Sequence, residues 1–176
     1  MKKLSWMVFA IGLLTVMTHG CTVIDYSRDP MLDAHAPWVL LPIVNHTETP
    51  QAGRRAEAIT ESLLYSQGMT QIRRYPSALQ DGSFILGSDN TLYESALHWA
   101  KEEKARYAIT GTVDEWRYKV GIDGEPAVGV SLRILDLQTN HVVWSAVGGQ
   151  TGWSREAVSA VAQKLIKRLL EEVSVS

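Results

Sequence analysis

The chain has 176 residues, 45% of them hydrophobic, and its 17 basic and 19 acidic residues give a formal net charge of −2 at pH 7. This length suits one ordinary domain, and the mild acidity argues against nucleic acid as a partner, because nucleic-acid binding needs a basic face. The single cysteine, Cys21, excludes an intrachain disulfide, so hydrophobic packing must stabilise the fold.

The first 20 residues have the pattern of a secretory signal peptide. Lys2 and Lys3 give a basic start, an apolar run continues to Met17, and Gly20 supplies a small residue before Cys21. Roughly 14 apolar residues are too few for a permanent membrane helix. A cysteine in this place is typical of bacterial lipoproteins, in which the cysteine is lipidated with acyl chains such as palmitate. An ordinary signal peptide that leaves a free thiol is the alternative.

The segment after the signal is polar and is predicted to be the lipidated N-terminus and an irregular tether, residues 21–36. Loss of residues 1–20 removes two lysines and no acidic residue, so the mature net charge becomes −4. Thr22 stands where an aspartate would favour retention at the inner membrane, so we expect the periplasmic face of the outer membrane. Thr18 and His19 depart from the leucine and small residue that lipoprotein signals usually carry there.

Residues 37–176 are predicted to form a single globular domain in which strand and helix patterns alternate. The continuous apolar run from Trp38 to Val44 predicts a buried strand, and residues 69–75 predict a second one. Apolar side chains recur with helical spacing over residues 54–67 and again from Leu92 to Ala100. Each of these two segments is therefore predicted to be an amphipathic helix.

The C-terminal half begins with a predicted loop, residues 77–90, which is rich in glycine and aspartate. Three strands are then predicted over residues 107–118, 127–137 and 142–150, followed by a helix with Ser154 as its N-cap. The order β-α-β-α-β-β-β-α predicts an α/β (α+β) fold, in which helices cover a mixed sheet in two or three layers.

No enzyme motif occurs in the sequence. It lacks a nucleophile elbow and any metal-binding spacing, and the mature histidines are scattered: His35, His46, His98 and His141. We therefore expect no catalytic residue, no metal and no cofactor. Four carboxylates do gather: Asp114, Glu115, Asp123 and Glu125. Nothing marks one of them as buried, as a glycosidase pair requires, and Asp123-Gly124 favours a solvated hairpin tip.

Two long stretches of the sequence resemble the PelC family of lipoproteins, which serve export of the Pel exopolysaccharide. They are TGTVDEWRYKVGIDGEPAVGVSLRILD, residues 110–136, and VVWSAVGGQTGWSREAVSAVAQKL, residues 142–165. The likeness is strongest in three runs: Glu115–Lys119, Gly124–Pro126 and Thr151–Ser154. The run VLLPIVN, residues 39–45, is similar to the first strand of the family.

The resemblance implies a homo-oligomeric ring, dodecameric in the family, on the periplasmic side of the outer membrane. Such a ring would guide a partly cationic polysaccharide to a β-barrel exporter and catalyse no reaction. Repetition around a ring would turn Asp123 into a circle of negative charge. The other carboxylates expected to guide the polymer are Asp114, Glu115 and Glu125.

Trp153 has two interpretations. It could pack on Val158 as a hydrophobic staple at the start of the last helix. Alternatively, a ring of Trp153 side chains could enter the membrane interface and add a second anchoring signal to the lipid. Trp116 and Arg117 lie within a strand and are expected at a sheet face or a subunit contact. Two further tryptophans are expected in the core: Trp38 and Trp144.

A second class of function also fits an anchored periplasmic domain, namely a lipoprotein that binds and activates a cell-wall synthase or another envelope enzyme. Such a protein must reach across the periplasm on a long tether. The tether predicted here has about 15 residues and spans at most roughly 50 Å. Its short length favours the export function.

Overall fold

The structure is a computed structural model that describes residues 22–27, 31–76, 89–121 and 124–176. Six strands occur in this part of the chain: β1 (Thr22–Tyr26), β2 (Trp38–Asn45), β3 (Ile72–Arg74), β4 (Tyr107–Tyr118), β5 (Pro126–Asp136) and β6 (His141–Thr151). Three helices accompany them: α1 (Ala52–Ser66), α2 (Asp89–Glu102) and α3 (Val158–Glu171). Across these four ranges, no helix combines the length and the hydrophobicity that spanning a bilayer requires.

The strands form one mixed sheet in the order β1-β6-β5-β4-β2-β3. β2 runs parallel to β3 and β4, whereas β4, β5, β6 and β1 are each antiparallel to the next strand in the sheet. The predicted α+β fold with a mixed sheet is therefore confirmed, with β1 as an additional strand. Of the predicted loop over residues 77–90, all but the last two residues lie outside the described residues.

Helices cover the two faces of the sheet unequally. α1 and α3 pack on one face over the larger core, which contains three fully buried tryptophans: Trp38, Trp116 and Trp144. α2 packs on the opposite face against β2, where Val39 and Leu41 belong to a smaller core. Near β2 the fold therefore has three layers, with the sheet between helices on its two faces. Apart from Leu135 of β5, which belongs to this smaller core, the side of β5, β6 and β1 turned away from α1 and α3 has no described helix packed on it, and we call this side the open face.

Strand β2 is irregular at Pro42, which has no N–H to donate to a neighbouring strand. The register between β2 and β4 shifts between Leu40 and Ile43. The Ile43 N–H donates to Glu57 Oε1 at 3.0 Å, and Thr110 Oγ1 donates to the Pro42 carbonyl at 2.9 Å. A buried carboxylate from α1 and a buried hydroxyl from β4 therefore satisfy the backbone where the regular ladder is interrupted.

Residues 22–36 are predicted to be an irregular tether, but the first residues of this segment form a strand in the structure. These residues form β1, in which Thr22 lies opposite Gln150 of β6. Further along, Leu32 is buried and forms a parallel bridge with Val175. β1 is an edge strand, paired on one side and largely exposed, so it needs no apolar run of the kind that marks a buried strand.

The last helix begins later than predicted. α3 starts at Val158 with Ala157 in the N-cap position, so the assignment of Ser154 as N-cap is wrong. The Val158 N–H donates instead to the hydroxyl of Tyr118 at 3.3 Å. The prediction of Ser154 used a local signal, a serine ahead of an apolar periodic segment. The hydroxyl of Tyr118 comes from β4, 40 residues away in the chain, so no local pattern indicates it.

Candidate functional site

The strand register brings three segments to one end of the sheet. Tyr118, at the end of β4, pairs with Pro126, at the start of β5. The neighbouring strand β6 ends here at Thr151, and Thr22 of β1 pairs with Gln150 beside it. The β4–β5 hairpin, the turn after β6 and the start of β1 therefore lie at the same end, which we call the hairpin end.

The described carboxylates of the β4–β5 hairpin each have a basic partner. Arg117 Nε lies 2.9 Å from Glu115 Oε1, and Lys119 Nζ lies 4.0 Å from Glu125 Oε2. Such exposed ion pairs contribute about 0–1 kcal/mol and leave the carboxylates hydrated. Near the tip, the described hairpin thus carries two basic side chains beside these two carboxylates, so it is not a uniformly acidic surface. Asp123, at the predicted tip, lies outside the described residues.

Asp114 faces the open side of the sheet and is held by polar neighbours. His46 Nδ1 lies 3.0 Å from Asp114 Oδ1. Thr112 Oγ1 and Ser131 Oγ donate to Asp114 Oδ2 at 3.0 and 3.2 Å. With three partners in the chain, this carboxylate is less available to an external cation than a free surface carboxylate. The sequence does not reveal these contacts, because His46 is 68 residues away.

A tight turn after β6 presents Trp153 to solvent, with 55% of the residue exposed. The Trp153 N–H donates to Glu156 Oε2 at 3.1 Å, and the Glu156 N–H donates to the Trp153 carbonyl at 2.9 Å. Lys164 Nζ donates to Glu156 Oε1 at 2.6 Å, and the Tyr118 hydroxyl donates to the Glu156 carbonyl at 3.1 Å. The turn is therefore tied to both α3 and β4, and we call it the Trp153 turn.

The Glu156 carboxylate is the central group of this turn. Its pKa is lowered from 4.5, chiefly by the hydrogen bond from Lys164 and then by that from the Trp153 N–H, because both favour the charged form. A lowered folded-state pKa means that this contribution to stability is present above pH 4.5. It is lost as the pH falls through the lower pKa of the folded chain.

The staple interpretation of Trp153 loses its basis in the structure. A staple joins the residue before the N-cap to the fourth helical residue. Because α3 has Ala157 at its N-cap, the residue before the cap is Glu156. Trp153 lies three residues further from the helix and is mostly exposed.

Trp116 lies in the core, with 1% of its surface exposed, on the sheet face covered by α1 and α3. Of the two predicted positions, a sheet face is correct. Because the indole is enclosed by its own chain, it is not available for the alternative, a subunit contact. Arg117, the next residue along β4, is exposed and pairs with Glu115.

The open face contains a groove of about 570 Å³ along β5, β6 and β1. Arg133 and Asp25 line it, both exposed and neither with an ion-pair partner among the described residues. Ser131 connects the groove to Asp114 through its hydroxyl. In the described ranges, no three histidine, cysteine or acidic side chains lie close enough together to hold a metal ion.

Sequence reasoning missed Glu156, Tyr118 and Lys164 as residues that shape the candidate site. A local signal was available for Glu156 and Lys164, because an acidic residue directly before a helix can pair with a lysine in the first turns of that helix. No local signal existed for Tyr118, because its hydrogen bonds with Glu156 and Val158 cross 38 and 40 residues of chain. Cys21, the predicted lipidation site, lies outside the described residues.

Comparison with solved structures gives close matches. The PelC dodecamer from Paraburkholderia phytofirmans is 36% identical with a TM-score of 0.75, covering 89% of this chain and 99% of that chain. A variant of that dodecamer is 35% identical with a TM-score of 0.73, covering 89% and 100%. Lipoprotein GNA1162 from Neisseria meningitidis shares the fold at 17% identity, with a TM-score of 0.56 and coverage of 78% and 97%. These names describe no enzyme. A scan against protein-family models and a search of curated proteins found no match.

Proposed function

The chain belongs to the PelC family, and from this membership we propose that it is a non-enzymatic outer-membrane lipoprotein whose ring guides a cationic exopolysaccharide to its β-barrel exporter. The observation that carries the proposal is the match to the PelC dodecamer, which covers 89% of this chain at 36% identity. It supports homo-oligomerisation of this chain and a role in Pel export.

The position of β1 supports attachment to the membrane at the hairpin end. Cys21 directly precedes Thr22, and the backbone between consecutive residues spans only about 3.8 Å. A lipid on Cys21 would therefore emerge where Thr22 pairs with Gln150, close to the end of β6. The exposed Trp153 follows that end by two residues, so the lipid and an interfacial aromatic side chain would act on the same side of the protomer.

The electrostatic part of the proposed function depends on which of the acidic side chains already have partners within the chain. Glu115 and Glu125 each have a basic neighbour, and Asp114 is held on the open face. We propose Asp123 as the main guiding charge, with the three others as weaker members. Repetition in a ring would concentrate these charges, and contacts of about 0–1 kcal/mol each would allow a polymer to enter and to leave.

We expect Asp123→Lys to reduce polysaccharide secretion strongly, because attraction of a cationic polymer becomes repulsion. Asp123→Asn keeps the shape and removes one charge per protomer, so it should reduce secretion less. Both changes are expected to alter the free energy of unfolding by less than about 0.5 kcal/mol. Secreted polysaccharide is measured in cells with matched protein levels.

The control for this charge reversal is Glu102→Lys, in the last turn of α2, where the side chain is 66% exposed and pairs with His98. It introduces the same charge difference away from the hairpin. Normal secretion with Asp123→Lys, or an equal loss with Glu102→Lys, would contradict the guiding role of the hairpin charge.

For Trp153 we expect that replacement by alanine weakens membrane association without destabilising the fold. Moving the exposed part of an indole out of water contributes about 1–2 kcal/mol, so the fraction that resists extraction from membranes should fall several-fold. Val142→Ala is the matched control, because Val142 is 53% exposed at the opposite end of β6. A lower melting temperature with unchanged membrane association would refute the interfacial role.

The structure also bears on the alternative function, activation of an envelope enzyme. Residues 22–26 were counted in the predicted tether but belong to the sheet. A lipid on Cys21 would then be joined to the sheet by a single peptide link, which supports a domain held at its membrane. This short connection favours export over an activator that reaches across the periplasm.

A further inference from the structure

A band of basic side chains lies along the exposed side of α3 and in the turn before it. We define this cationic band by four residues: Arg155, Lys164, Lys167 and Arg168. Two carboxylates accompany it, because Glu156 pairs with Lys164 and Glu171 lies 3.8 Å from Lys167. A third carboxylate, the exposed Glu172, follows Arg168 by one helical turn. The band therefore has a local excess of one positive charge, on a chain whose formal net charge is −2.

The cationic band connects the start of β1 with the Trp153 turn. At one end, Arg168 Nη1 donates to Thr22 Oγ1 at 2.8 Å. One helical turn back, Lys164 is bonded to Glu156, the central group of the Trp153 turn. Residues four apart on a helix lie on the same face, about 5–6 Å apart, so the two contacts are adjacent.

The basic groups of the band can bind further anions. Arg155 has no ion-pair or hydrogen-bond partner within the described part of the chain, and the Lys164 side chain is 57% exposed although it is paired. Arg155 also has φ +68°, a left-handed conformation that is unfavourable for a residue with a side chain. The bonds of Glu156 to Trp153 and Lys164 tie down the turn that contains both Arg155 and the exposed Trp153.

We propose that the cationic band binds the phosphate groups of anionic phospholipids at the membrane surface, beside Trp153. Arginine and lysine near an anionic surface each increase binding by about fivefold, which corresponds to ~1 kcal/mol. Arginine also forms paired hydrogen bonds with phosphate oxygens. Two hairpin carboxylates at the same end, Glu115 and Glu125, are paired with Arg117 and Lys119 and so do not cancel the band. This inference rests on the proposed membrane attachment and identifies the lipid class that the anchored end contacts.

The test is native mass spectrometry of the full chain as cells produce it, purified in detergent and titrated with phosphatidylglycerol or phosphatidylcholine. We expect preferential binding of phosphatidylglycerol. The double variant Arg155→Gln, Arg168→Gln should weaken that binding by roughly 25-fold and change phosphatidylcholine binding little. Lys164 is left in place because it holds the Trp153 turn. The control is Lys101→Gln, an exposed lysine in the last turn of α2, which should leave lipid binding unchanged.

Each result of this test decides the proposal. Unchanged phosphatidylglycerol binding by the double variant overturns it, and so does the absence of a preference in the parent chain. Displacement of the lipid by millimolar inorganic phosphate would indicate a small-anion site and would also overturn it. If Trp153→Ala still weakens membrane association while the double variant behaves as the parent, the proposed attachment survives and only the phosphate contact fails.

Discussion

Replacing Cys21 with serine is expected to remove the chain from the outer-membrane fraction almost completely. Serine cannot form the thioether that carries the acyl chains, and each buried methylene of such a chain contributes about 0.8 kcal/mol to membrane attachment. Trp153 and the cationic band cannot replace this contribution, because interfacial contacts of this size are reversible. Intact-mass measurement should show loss of the lipid, and fractionation should show loss of outer-membrane association.

The same substitution is expected to leave the fold intact. Residue 21 precedes β1, and the described core is built from residues further along the chain, from Leu32 to Leu170. The free energy of unfolding should therefore change by less than about 0.5 kcal/mol. Thr22→Ser is a suitable control, because it alters the next residue and keeps both the thiol and the hydroxyl that accepts from Arg168. Full retention of Cys21→Ser in the outer membrane would mean that the lipid is not the main anchor.

Trp116→Ala is expected to have the largest effect on stability, a loss of about 3–5 kcal/mol. The indole is enclosed between the sheet and the helices with 1% exposure, so its removal leaves a cavity in the larger core. Domains of this size are stable by only about 5–15 kcal/mol, so the variant should unfold at much lower urea concentration. Urea unfolding followed by circular dichroism measures this change.

Two further variants test whether the loss of stability in Trp116→Ala comes from lost packing in the core. Trp116 Nε1 has no hydrogen-bond partner among the described residues. Trp116→Phe removes this polar group with most of the ring retained, so it should cost much less than alanine. Trp153→Ala removes the same side chain from an exposed position and should leave the urea midpoint unchanged. If Trp116 mediated subunit contact, alanine would dissociate the oligomer and spare the protomer, which native mass measurement would detect.

The arrangement of the hairpin end links the two halves of the proposed function. Lys119 and Glu125, which precede and follow Asp123 in the sequence, are joined at this end by a backbone hydrogen bond of 2.7 Å. The start of β1 and Trp153 lie at the same end. A polymer that meets Asp123 would therefore be close to the anchored membrane, which suits delivery to an exporter embedded in it.

The sequence by itself determined the features that depend on local patterns. Apolar periodicity identified the helices and the buried strands, because burial of one face imposes a fixed spacing on the residues that pack. The runs around Trp116 and Trp153 were sufficient to indicate the PelC family, and the solved PelC structures confirm that assignment. The burial of Trp38 and Trp144 also followed from their places in apolar strands.

Only the tertiary structure decided the features that depend on distant partners. β1 is a strand because β6, more than 110 residues later, offers it a free edge. The start of α3 depends on the hydroxyl of Tyr118, which accepts from the Val158 N–H across 40 residues of chain. The same holds for Arg168, whose contact with Thr22 crosses 146 residues. Hydrogen bonds and ion pairs between distant segments leave no periodic trace in a sequence, since only the fold brings the two partners together.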